Sequence, residues 1–522
     1  MVNHQGKQLI YWGAGVFCKY ILDYYDLKPD FLVDSNIDSA EDLNGIKIIN
    51  PNDIVFNKDM FVVITIKSET QTQEIKHYLK AHGLEENQNF CTFRDFFNVW
   101  HKNIRQCLAY IEKKDWTFQE KILLLVPLFQ VRNLKGFINF IRKYVEARNK
   151  EGKEVVLLSD LKSISYKRAS ELVGTTVINV PTFEDCAKSD IQPETLMEIV
   201  EIERRKIDDN NHTVRKDICI YKFYLEVLNI LKPEKVIMWG GWKVDNYIVE
   251  AIAKKKGIAY GYMEHGWLPG TYQVDPKGIM GQSEYAGSLE IQQCKDFVED
   301  KYDIEQIKRF IKDKQLDTRI FQETEEDNRA LENIDYNKKT IFLVGMDDYG
   351  MQMNPNDTYW SKYISSNVKS TEEALYQLVS ICKKNQYNLI FKPHPGNPVS
   401  DWIEKSNEII LVKKCAVDKL IKLADVVVSI GSAVDFKTLI YDKPLVQLGL
   451  NALVGKECTY VVKNKEDFKS KIEQALSYGF TDKQRGNYNN LLQNLLQKYL
   501  WDDLTERTVR YGCLPERDFL NE

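Results

Sequence analysis

Short apolar runs alternate with amphipathic stretches along the first hundred residues. Three of these runs are predicted strands, and a helix-patterned stretch separates the first two: QLIYWG, DFLVDS and MFVVITI. Their order predicts a βαβ unit with a short extension over residues 1–100. The basic, aromatic-rich stretch at 101–116 is predicted to be a helical linker to the next folded unit.

The alternation continues with longer apolar runs through the rest of the chain. Residues 117–335 contain the predicted strands KILLLV, EVVLLSD, KVIMWGG and IAYGYMEHGW, and residues 336–490 contain TIFLVG, NLIFKPHPG, EIILVKK and ADVVVSIG. Strands that are apolar on both faces are typical of parallel sheets covered by helices on each side. The sequence therefore predicts an α/β protein with two doubly wound domains and an additional Rossmann-like domain before them. Helices at 491–522 are expected to pack back onto the first of the two.

Composition and charge narrow the possible partners. The 522 residues are 43% hydrophobic and 28% charged, with a net charge of −5, so no overall basic field favours nucleic acid. The ten cysteines form no C-x-x-C pair or Cys/His cluster and are expected to be buried thiols. The chain shows no signal-peptide pattern and no apolar run of membrane-spanning length. We expect a cytoplasmic protein whose membrane association, if any, is peripheral.

The N-terminal unit carries an incomplete dinucleotide fingerprint. Gly13 and Gly15 follow the first strand, Asp34 ends the second, and Cys18 stands where a third glycine would be. This pattern suits a pyrophosphate at a helix N-terminus and a ribose hydroxyl on the acid. The segment resembles the N-terminal domain of sugar O-acyltransferases, which implies a nucleotide-sugar ligand. A purely structural Rossmann unit with a tight glycine turn is the alternative.

The third predicted unit contains two candidate anion-binding features at strand ends. Lys392, His394 and Pro395 end one strand, and Ser429, Gly431 and Ser432 connect a later strand to a helix. The carboxyl edge of an open α/β sheet is where ligands bind, and a helix N-terminus attracts phosphate. Alone, His394 could be a turn histidine and Ser432 a plain N-cap. Together they predict a site for a nucleotide phosphate or a diphosphate.

The segments FKPHPGNP and ADVVVSIGSAVDFKTLIYDKPLVQLG resemble the donor half of the capsule-polysaccharide biosynthesis glycosyltransferases, including Kdo and sialic acid transferases. The resemblance implies the GT-B architecture, in which two Rossmann-like domains face each other across a cleft. In that family the His-Pro motif and the serine after the later strand hold the donor phosphate. These roles would fall here on His394, Pro395, Ser429 and Ser432.

The second predicted unit supplies the matching half of this resemblance. Glu264, Gly266 and Pro269 form the family's E-x-G-x-x-P element, and Asp275 follows it. The resemblance implies a catalytic or acceptor-binding role for Glu264, His265 and Asp275. A carboxylate could accept the proton of the acceptor hydroxyl, stabilise an oxocarbenium-like centre, or act as a nucleophile in a retaining enzyme. Alternatively, Glu264 and Asp275 are loop acids bonded to backbone amides.

Asp347 and Asp348 are adjacent and so depart from a metal-binding D-x-D pattern. We expect them to touch donor or acceptor groups or to cap a turn. The resemblance implies that helix dipoles and cationic side chains, rather than a metal, stabilise the leaving phosphate. His212 and Lys243 carry no motif and are expected to be solvated.

These features predict a metal-independent glycosyltransferase of bacterial capsule or O-antigen polysaccharide biosynthesis that requires no cofactor. Its partners would be an activated sugar donor, either CMP-Kdo-like or another nucleotide sugar, and an oligosaccharide or lipid-linked glycan acceptor. A phosphoribosyl diphosphate donor is one alternative. A nucleotide-sugar oxidoreductase or epimerase, or a non-catalytic assembly protein, is another, although the N-terminal unit lacks a full G-x-G-x-x-G and an evident Tyr-x-x-x-Lys pair.

Overall fold

The structure is a computed structural model that describes most of the chain. The described residues are 6–15, 18–19, 22, 28–35, 42–66, 68–92, 104–126, 134–159, 166–180, 197–199, 201–202, 214–241, 243–286, 302–314, 324–348 and 354–502. His212 and part of the predicted linker, residues 101–103, lie outside them. The chain divides into two compact units: a first unit of Met1–Lys113, Pro127–Phe129 and Leu157–Thr182, and a second unit of Lys114–Val126, Gln130–Val156 and Phe183–Glu522.

A six-stranded sheet forms from the predicted N-terminal strands. Its strands are β1 Gln8–Trp12, β2 Phe31–Val33, β3 Asp42–Leu43, β4 Ile46–Ile49, β5 Met60–Ile64 and β6 Phe90–Thr92, in the order β3-β4-β2-β1-β5-β6. All neighbours pair in parallel except the β3–β4 hairpin. Helix α1 (Glu69–Ala81) connects β5 to β6. The predicted strands at QLIYWG, DFLVDS and MFVVITI are confirmed.

A seven-stranded sheet follows. Its strands are β7 Glu120–Leu125, β8 Lys153–Ser159, β9 Thr176–Asn179, β10 Lys235–Trp239, β11 Ala259–His265, β12 Thr271–Asp275 and, from the C-terminal region, β19 Leu500–Asp502. The order is β19-β12-β11-β10-β7-β8-β9, and β12 is antiparallel to both β11 and β19. The helices here are α2 Ile104–Lys113, α3 Leu134–Lys150, α4 Tyr166–Val173, α5 Val214–Leu231 and α6 Val244–Lys256.

The third sheet is parallel throughout. Its strands are β13 Thr340–Val344, β14 Asn388–Lys392, β15 Ile410–Leu411, β16 Val426–Ser429, β17 Leu445–Gln447 and β18 Tyr460–Val461. The spatial order is β15-β14-β13-β16-β17-β18. The chain therefore proceeds from β13 to β14 and β15 on one side, then crosses to β16 on the other side and continues to β17 and β18. Ligands in such sheets bind where this order reverses, outside the carboxyl ends of the two central strands.

Nine helices are associated with the third sheet in the described part of the chain. They are α7 Ile304–Lys314, α8 Glu325–Glu332, α9 Thr358–Tyr363, α10 Thr371–Asn385, α11 Asp401–Glu404, α12 Val417–Leu423, α13 Ala433–Ile440, α14 Asp467–Tyr478 and α15 Asp482–Lys498. Strands β13, β14 and β16 are almost wholly buried, because helices cover both faces of the sheet.

The chain returns from the third sheet to the second through α15. This helix leads directly into β19, where Tyr272 pairs with Trp501. The sequence pattern indicated helix alone for this stretch, whereas residues 500–502 form a strand because β12 offers them a pairing edge. The predicted fold class, α/β with two doubly wound sheets and an additional Rossmann-like sheet before them, is confirmed.

Six cysteines among the described residues are buried free thiols, as expected: Cys18, Cys91, Cys107, Cys382, Cys415 and Cys458. Cys219 corrects that expectation, because it is disulfide-bonded. No helix among the described residues is both long enough and apolar enough to cross a bilayer.

Candidate functional site

His394 follows β14 and lies against the loop that follows β13. Gly345 permits this approach, because a Cβ atom there would lie 2.6 Å from His394 N. The His394 Nδ1 atom accepts a hydrogen bond from the Gly396 N–H (3.2 Å) and lies 3.4 Å from Asp347 Oδ1. The hydrogen bond from Gly396 places the proton of a neutral ring on Nε2, whereas a ring paired with Asp347 carries a proton on both nitrogens, so Nε2 holds a proton in either case. Nε2–H is then a donor suited to a phosphate oxygen.

The other predicted residues of this strand end differ in exposure. Lys392 is half-buried and donates from Nζ to the Lys413 carbonyl oxygen (2.8 Å), and Pro395 is exposed. Both therefore lie at the same edge of the sheet as His394, where Lys392 adds positive charge.

Asp347 and Asp348 have different surroundings although they are adjacent. Asp347 lies beside His394, whereas Asp348 Oδ2 accepts a hydrogen bond from the Thr371 N–H (3.0 Å) at the start of α10. Burial raises the pKa of Asp348, and the Thr371 hydrogen bonds partly oppose this. Asp348 thus caps a helix, while Asp347 belongs to the candidate site. The described residues contain no cluster of three or more His, Cys, Asp or Glu side chains arranged for a metal ion.

Helix α13 begins at the carboxyl end of β16, next to the point where the strand order reverses. Ser432 is its N-cap and forms a capping box, because its Oγ accepts from the Val434 N–H (3.2 Å) and its N–H donates to Asp435 Oδ2 (3.2 Å). Ser432 is half-buried and Ala433 is exposed, so the first turn is accessible. An accessible helix N-terminus attracts anions.

Ser429 and Gly431 have surroundings unlike that of Ser432. Ser429 is 1% exposed and its hydroxyl lies beside the Asp435 carboxyl, so it can act on a ligand only through its neighbours. Gly431 is buried against Met280, since a Cβ atom at Gly431 would lie 2.9 Å from Met280 Cε.

Asp435 is a residue of this site that the sequence analysis did not single out. It is fully buried, and Asn451 Nδ2 donates to its Oδ2 atom (2.7 Å). Burial raises its pKa to about 7, although the Ser429 hydroxyl and the hydrogen bonds from Ser432 and Asn451 lower it. The spacing S-x-x-D at a strand-to-helix junction was the available signal, because it is the pattern of a capping box.

Glu264 and His265 end β11, beside the turn that ends β10. Glu264 Oε1 accepts a hydrogen bond from the His265 N–H (2.8 Å), and a Cβ atom at Gly240 would lie 3.5 Å from Glu264 Oε2. Gly240 has a φ of +85°, a conformation that glycine adopts readily. The rings of Trp239 and His265 meet edge to face at 5.1 Å. The turn after β10 and the Glu264–His265 strand end are therefore adjacent.

Asp275 is completely buried at the end of β12. Its carboxylate accepts hydrogen bonds from the N–H groups of Lys277, Gly278 and Glu284 and from the Tyr499 hydroxyl, at 2.8 to 3.1 Å. Burial raises its pKa, and these hydrogen bonds oppose the rise. The geometry is that of a carboxylate that organises a loop, which was the alternative interpretation. The surroundings of Asp275 give no support to a catalytic role.

The Glu264 segment packs directly on the helix that carries Ser432. Trp267, three residues after Glu264, stacks on Phe436 of α13 with ring centroids 5.2 Å apart and an interplanar angle of 5°. Tyr499 stacks on Trp267 as well, at 5.3 Å and 14°. The indole thus lies between helix α13 and the returning C-terminal segment.

The 3₁₀ turn Met280–Gln282 makes a second contact between the two halves of the second unit. A Cβ atom at Gly281 would lie 2.0 Å from the Tyr363 carbonyl oxygen, and the Tyr359 hydroxyl donates to Gln282 Oε1. Asp275 holds the loop that contains this turn. The candidate acceptor side and donor side therefore meet through two separate contacts.

Comparisons with known proteins identify no family. No family model matches the chain, and no curated protein sequence matches it. Solved structures with similar folds include the Thermosulfurimonas dismutans KpsC beta Kdo 2,7 transferase, at 15% identity over 74% of this chain and 94% of that chain, with a TM-score of 0.36. Another is Methanocaldococcus jannaschii UDP-GlcNAc 2-epimerase in complex with UDP-GlcNAc and UDP (12% identity, 70% and 97% covered, TM-score 0.33). At such low identities and TM-scores the likeness carries no conclusion about activity.

In the first unit, the glycine turn after β1 is held by a hydrogen bond to Asp34, the acidic residue of the predicted fingerprint. Gly13 has a φ of +116°, and Asp34 Oδ2 accepts a hydrogen bond from the Ala14 N–H (2.7 Å). A Cβ atom at Gly13 would lie 2.6 Å from Ile66, whereas one at Gly15 would have no close neighbour. Burial raises the pKa of the Cys18 thiol to about 12, so this cysteine is a packing residue. Gly13 and Asp34 lie together, and a ligand at this turn remains a prediction.

Proposed function

We propose that the chain is a glycosyltransferase of bacterial surface-polysaccharide biosynthesis that transfers a sugar from a nucleotide-activated donor to a glycan acceptor. One observation carries the proposal: the segment that bears Glu264 docks through Trp267 onto the helix that begins at Ser432. A carboxylate and an anion-attracting helix N-terminus thus come from two doubly wound sheets in contact. The resemblance of both segments to the capsule-polysaccharide transferases supports the same function.

The donor phosphate would lie at the carboxyl edge of β13, β14 and β16. The first turn of α13, Nε2–H of His394 and the ammonium of Lys392 would surround it with hydrogen-bond donors and positive charge. Such groups stabilise the negative charge that develops on the leaving phosphate as the bond between the sugar and the donor phosphate breaks. Because these groups supply positive charge themselves, we propose that transfer depends on no divalent metal.

The acceptor hydroxyl would be activated on the other side by Glu264. A hydroxyl loses its proton as the new glycosidic bond forms, and a half-buried carboxylate at a strand end can accept that proton. His265 is the neighbouring candidate for the same step. If the enzyme retains configuration, Glu264 would instead be the nucleophile, and a trapped glycosyl-enzyme would reveal this.

The test begins with a thermal-shift screen of CMP, UDP and GDP sugars and of phosphoribosyl diphosphate, because a ligand of the native state raises Tm. Transfer to an oligosaccharide acceptor is then measured for Glu264→Gln and His394→Ala. We expect each variant to lose about 10²-fold or more of the rate while remaining folded.

Exposed residues provide matched controls. Glu332→Gln and His77→Ala make the same changes at exposed positions and should transfer at the wild-type rate. Unchanged transfer in both site variants, or the absence of binding by every activated sugar, would contradict the proposed function.

A further inference from the structure

A buried carboxyl group lies in the first turn of α13. Asp435 is the third residue of this helix and has no exposed surface. Its Oδ2 atom accepts from the Ser432 N–H at 3.2 Å and from Asn451 Nδ2 at 2.7 Å. Asn451 is fixed in turn, because its Oδ1 atom accepts from Gln447 Nε2 (2.5 Å) and from the Leu453 N–H (2.9 Å).

The second carboxyl oxygen, Oδ1, is buried and accepts no hydrogen bond from the described residues. Ser429 Oγ is buried as well and forms no hydrogen bond of ordinary geometry with any described residue, although the hydroxyl lies close enough to lower the pKa of the Asp435 carboxyl. A serine hydroxyl keeps its own proton, so it can donate to the carboxylate when Asp435 is ionised and can accept from the carboxyl O–H when Asp435 is neutral. The site is therefore built to hold Asp435 in either protonation state.

The charge of this carboxyl matters to an anion at the helix N-terminus. The aligned peptide dipoles place roughly half a positive charge there, and an ionised carboxylate in the first turn opposes it. A donor phosphate and an ionised Asp435 would thus compete for the same positive end. A neutral Asp435 leaves that end available to the phosphate.

We propose that Asp435 is a positioning residue for the donor that acts through its proton: the anionic donor binds the form with a neutral Asp435, and binding is accompanied by proton uptake. This inference rests on the proposed function, since it concerns the same donor site. The proton comes from solvent, and no covalent bond of the donor forms or breaks in this step.

The surroundings of Asp435 allow both forms near neutrality. Burial raises the pKa to about 7, and the opposing groups are the Ser429 hydroxyl of β16, the Ser432 N–H of its own cap and Asn451 after β17. None of these groups is ionisable in this range. The nearest ion pair on the same helix joins Lys437 to Asp418 of α12 (2.6 Å) and is internally neutral.

His394 is a second titratable group at the site. It faces the same phosphate from the end of β14, next to Asp347. A pH dependence of donor binding alone would therefore not isolate Asp435, and a comparison between variants is required.

The experiment measures binding of UDP-N-acetylglucosamine, GDP-mannose and CMP-N-acetylneuraminic acid by calorimetry at about pH 6 and about pH 8. The phosphates of these probes keep a constant charge over this interval. We expect the ratio of Kd at the higher pH to Kd at the lower pH to be about tenfold smaller in Asp435→Asn than in the wild type. Asp401→Asn, at the exposed start of helix α11, should leave the wild-type ratio unchanged.

A second measurement does not depend on a variant. Titrations of the wild type in two buffers of different ionisation enthalpy should show uptake of a substantial fraction of a proton at about pH 7. Equal Kd ratios in Asp435→Asn and the wild type, or no proton uptake, would overturn the inference while leaving the proposed function intact. If none of the probes binds at either pH, the proposed donor site itself fails, and the inference fails with it.

Discussion

Two buried carboxyl groups, Asp275 and Asp435, lie near strand ends and have their pKa values raised by burial, but their hydrogen bonds differ. Both oxygens of Asp275 are occupied by backbone N–H groups and the Tyr499 hydroxyl, whereas one oxygen of Asp435 has no hydrogen-bond partner among the described residues. A carboxyl whose acceptor positions are filled by the protein has little capacity left for a substrate proton. Asp275 therefore suits a structural role, and Glu264 is the better candidate for the base.

This difference gives a prediction for Asp275→Asn. An amide NH₂ would replace one oxygen and would point at groups that are themselves donors, leaving buried polar groups unsatisfied. We expect a loss of about 1–3 kcal/mol in the free energy of unfolding, measured by urea denaturation. Asp401→Asn, on the surface, should lose almost nothing. Full stability together with abolished transfer would instead show that Asp275 takes part in the reaction.

At the scale of elements, the sequence pattern predicted those strands and helix ends that are determined by interactions between neighbouring residues. The strands β13, β14 and β16 follow from their continuous apolar runs, and the start of α13 follows from Ser432 as an N-cap. The strand β19 could not be predicted in this way, because residues 500–502 become a strand only by pairing with β12. The partners of Asp275 were equally out of reach, since Tyr499 lies 224 residues away in sequence.

Two helices in the described part of the second unit begin with a capping box, which allows a matched comparison. Ser432 caps α13 at the candidate donor site, and Thr481 caps α15 elsewhere. Substitution of either residue by alanine should lower the free energy of unfolding by about 1 kcal/mol, because one N–H of the first turn loses its acceptor. Only Ser432→Ala should also weaken binding of the activated sugar.

Calorimetric titration of both variants with the sugar found in the thermal-shift screen measures this difference. The donor site is misplaced if Thr481→Ala weakens binding as much as Ser432→Ala does. Equal and unchanged affinities would show that the N-terminus of α13 does not contact the donor.

At the scale of the second unit, hydrophobic patterning predicted two doubly wound sheets but not how they join. The stacking of Trp267 between Phe436 and Tyr499 brings together three sequence-distant segments, each of which is locally unremarkable. The approach of Gly281 to the Tyr363 carbonyl oxygen is likewise a matter of shape rather than of pattern. Candidate residues could be found from sequence because functional side chains in α/β proteins lie at strand ends. Which of these residues come together depends on contacts between distant segments, such as those of Trp267 and Gly281.

The Trp267 contact should couple the two sheets energetically. Trp267 is 7% exposed, so Trp267→Ala leaves a cavity between α13 and Tyr499 and should cost about 3–5 kcal/mol. Because the lost contact is the one that joins the two halves, we expect urea unfolding of the second unit to become broader or to divide into two transitions. Transfer should fall as well, since Glu264 would no longer be held against the helix of Ser432.

A matched substitution separates this coupling from the general loss of a tryptophan. Trp402→Ala removes a half-exposed indole on the third sheet's own helix α11, away from the contact between the halves, and should leave the shape of the unfolding transition unchanged. Trp267→Phe keeps an aromatic ring between Phe436 and Tyr499 and should recover part of both stability and transfer. If Trp267→Ala unfolded in one sharp transition and transferred sugar at the wild-type rate, the contact would be packing alone, and the two halves of the site would have to be held together by the Met280–Gln282 turn.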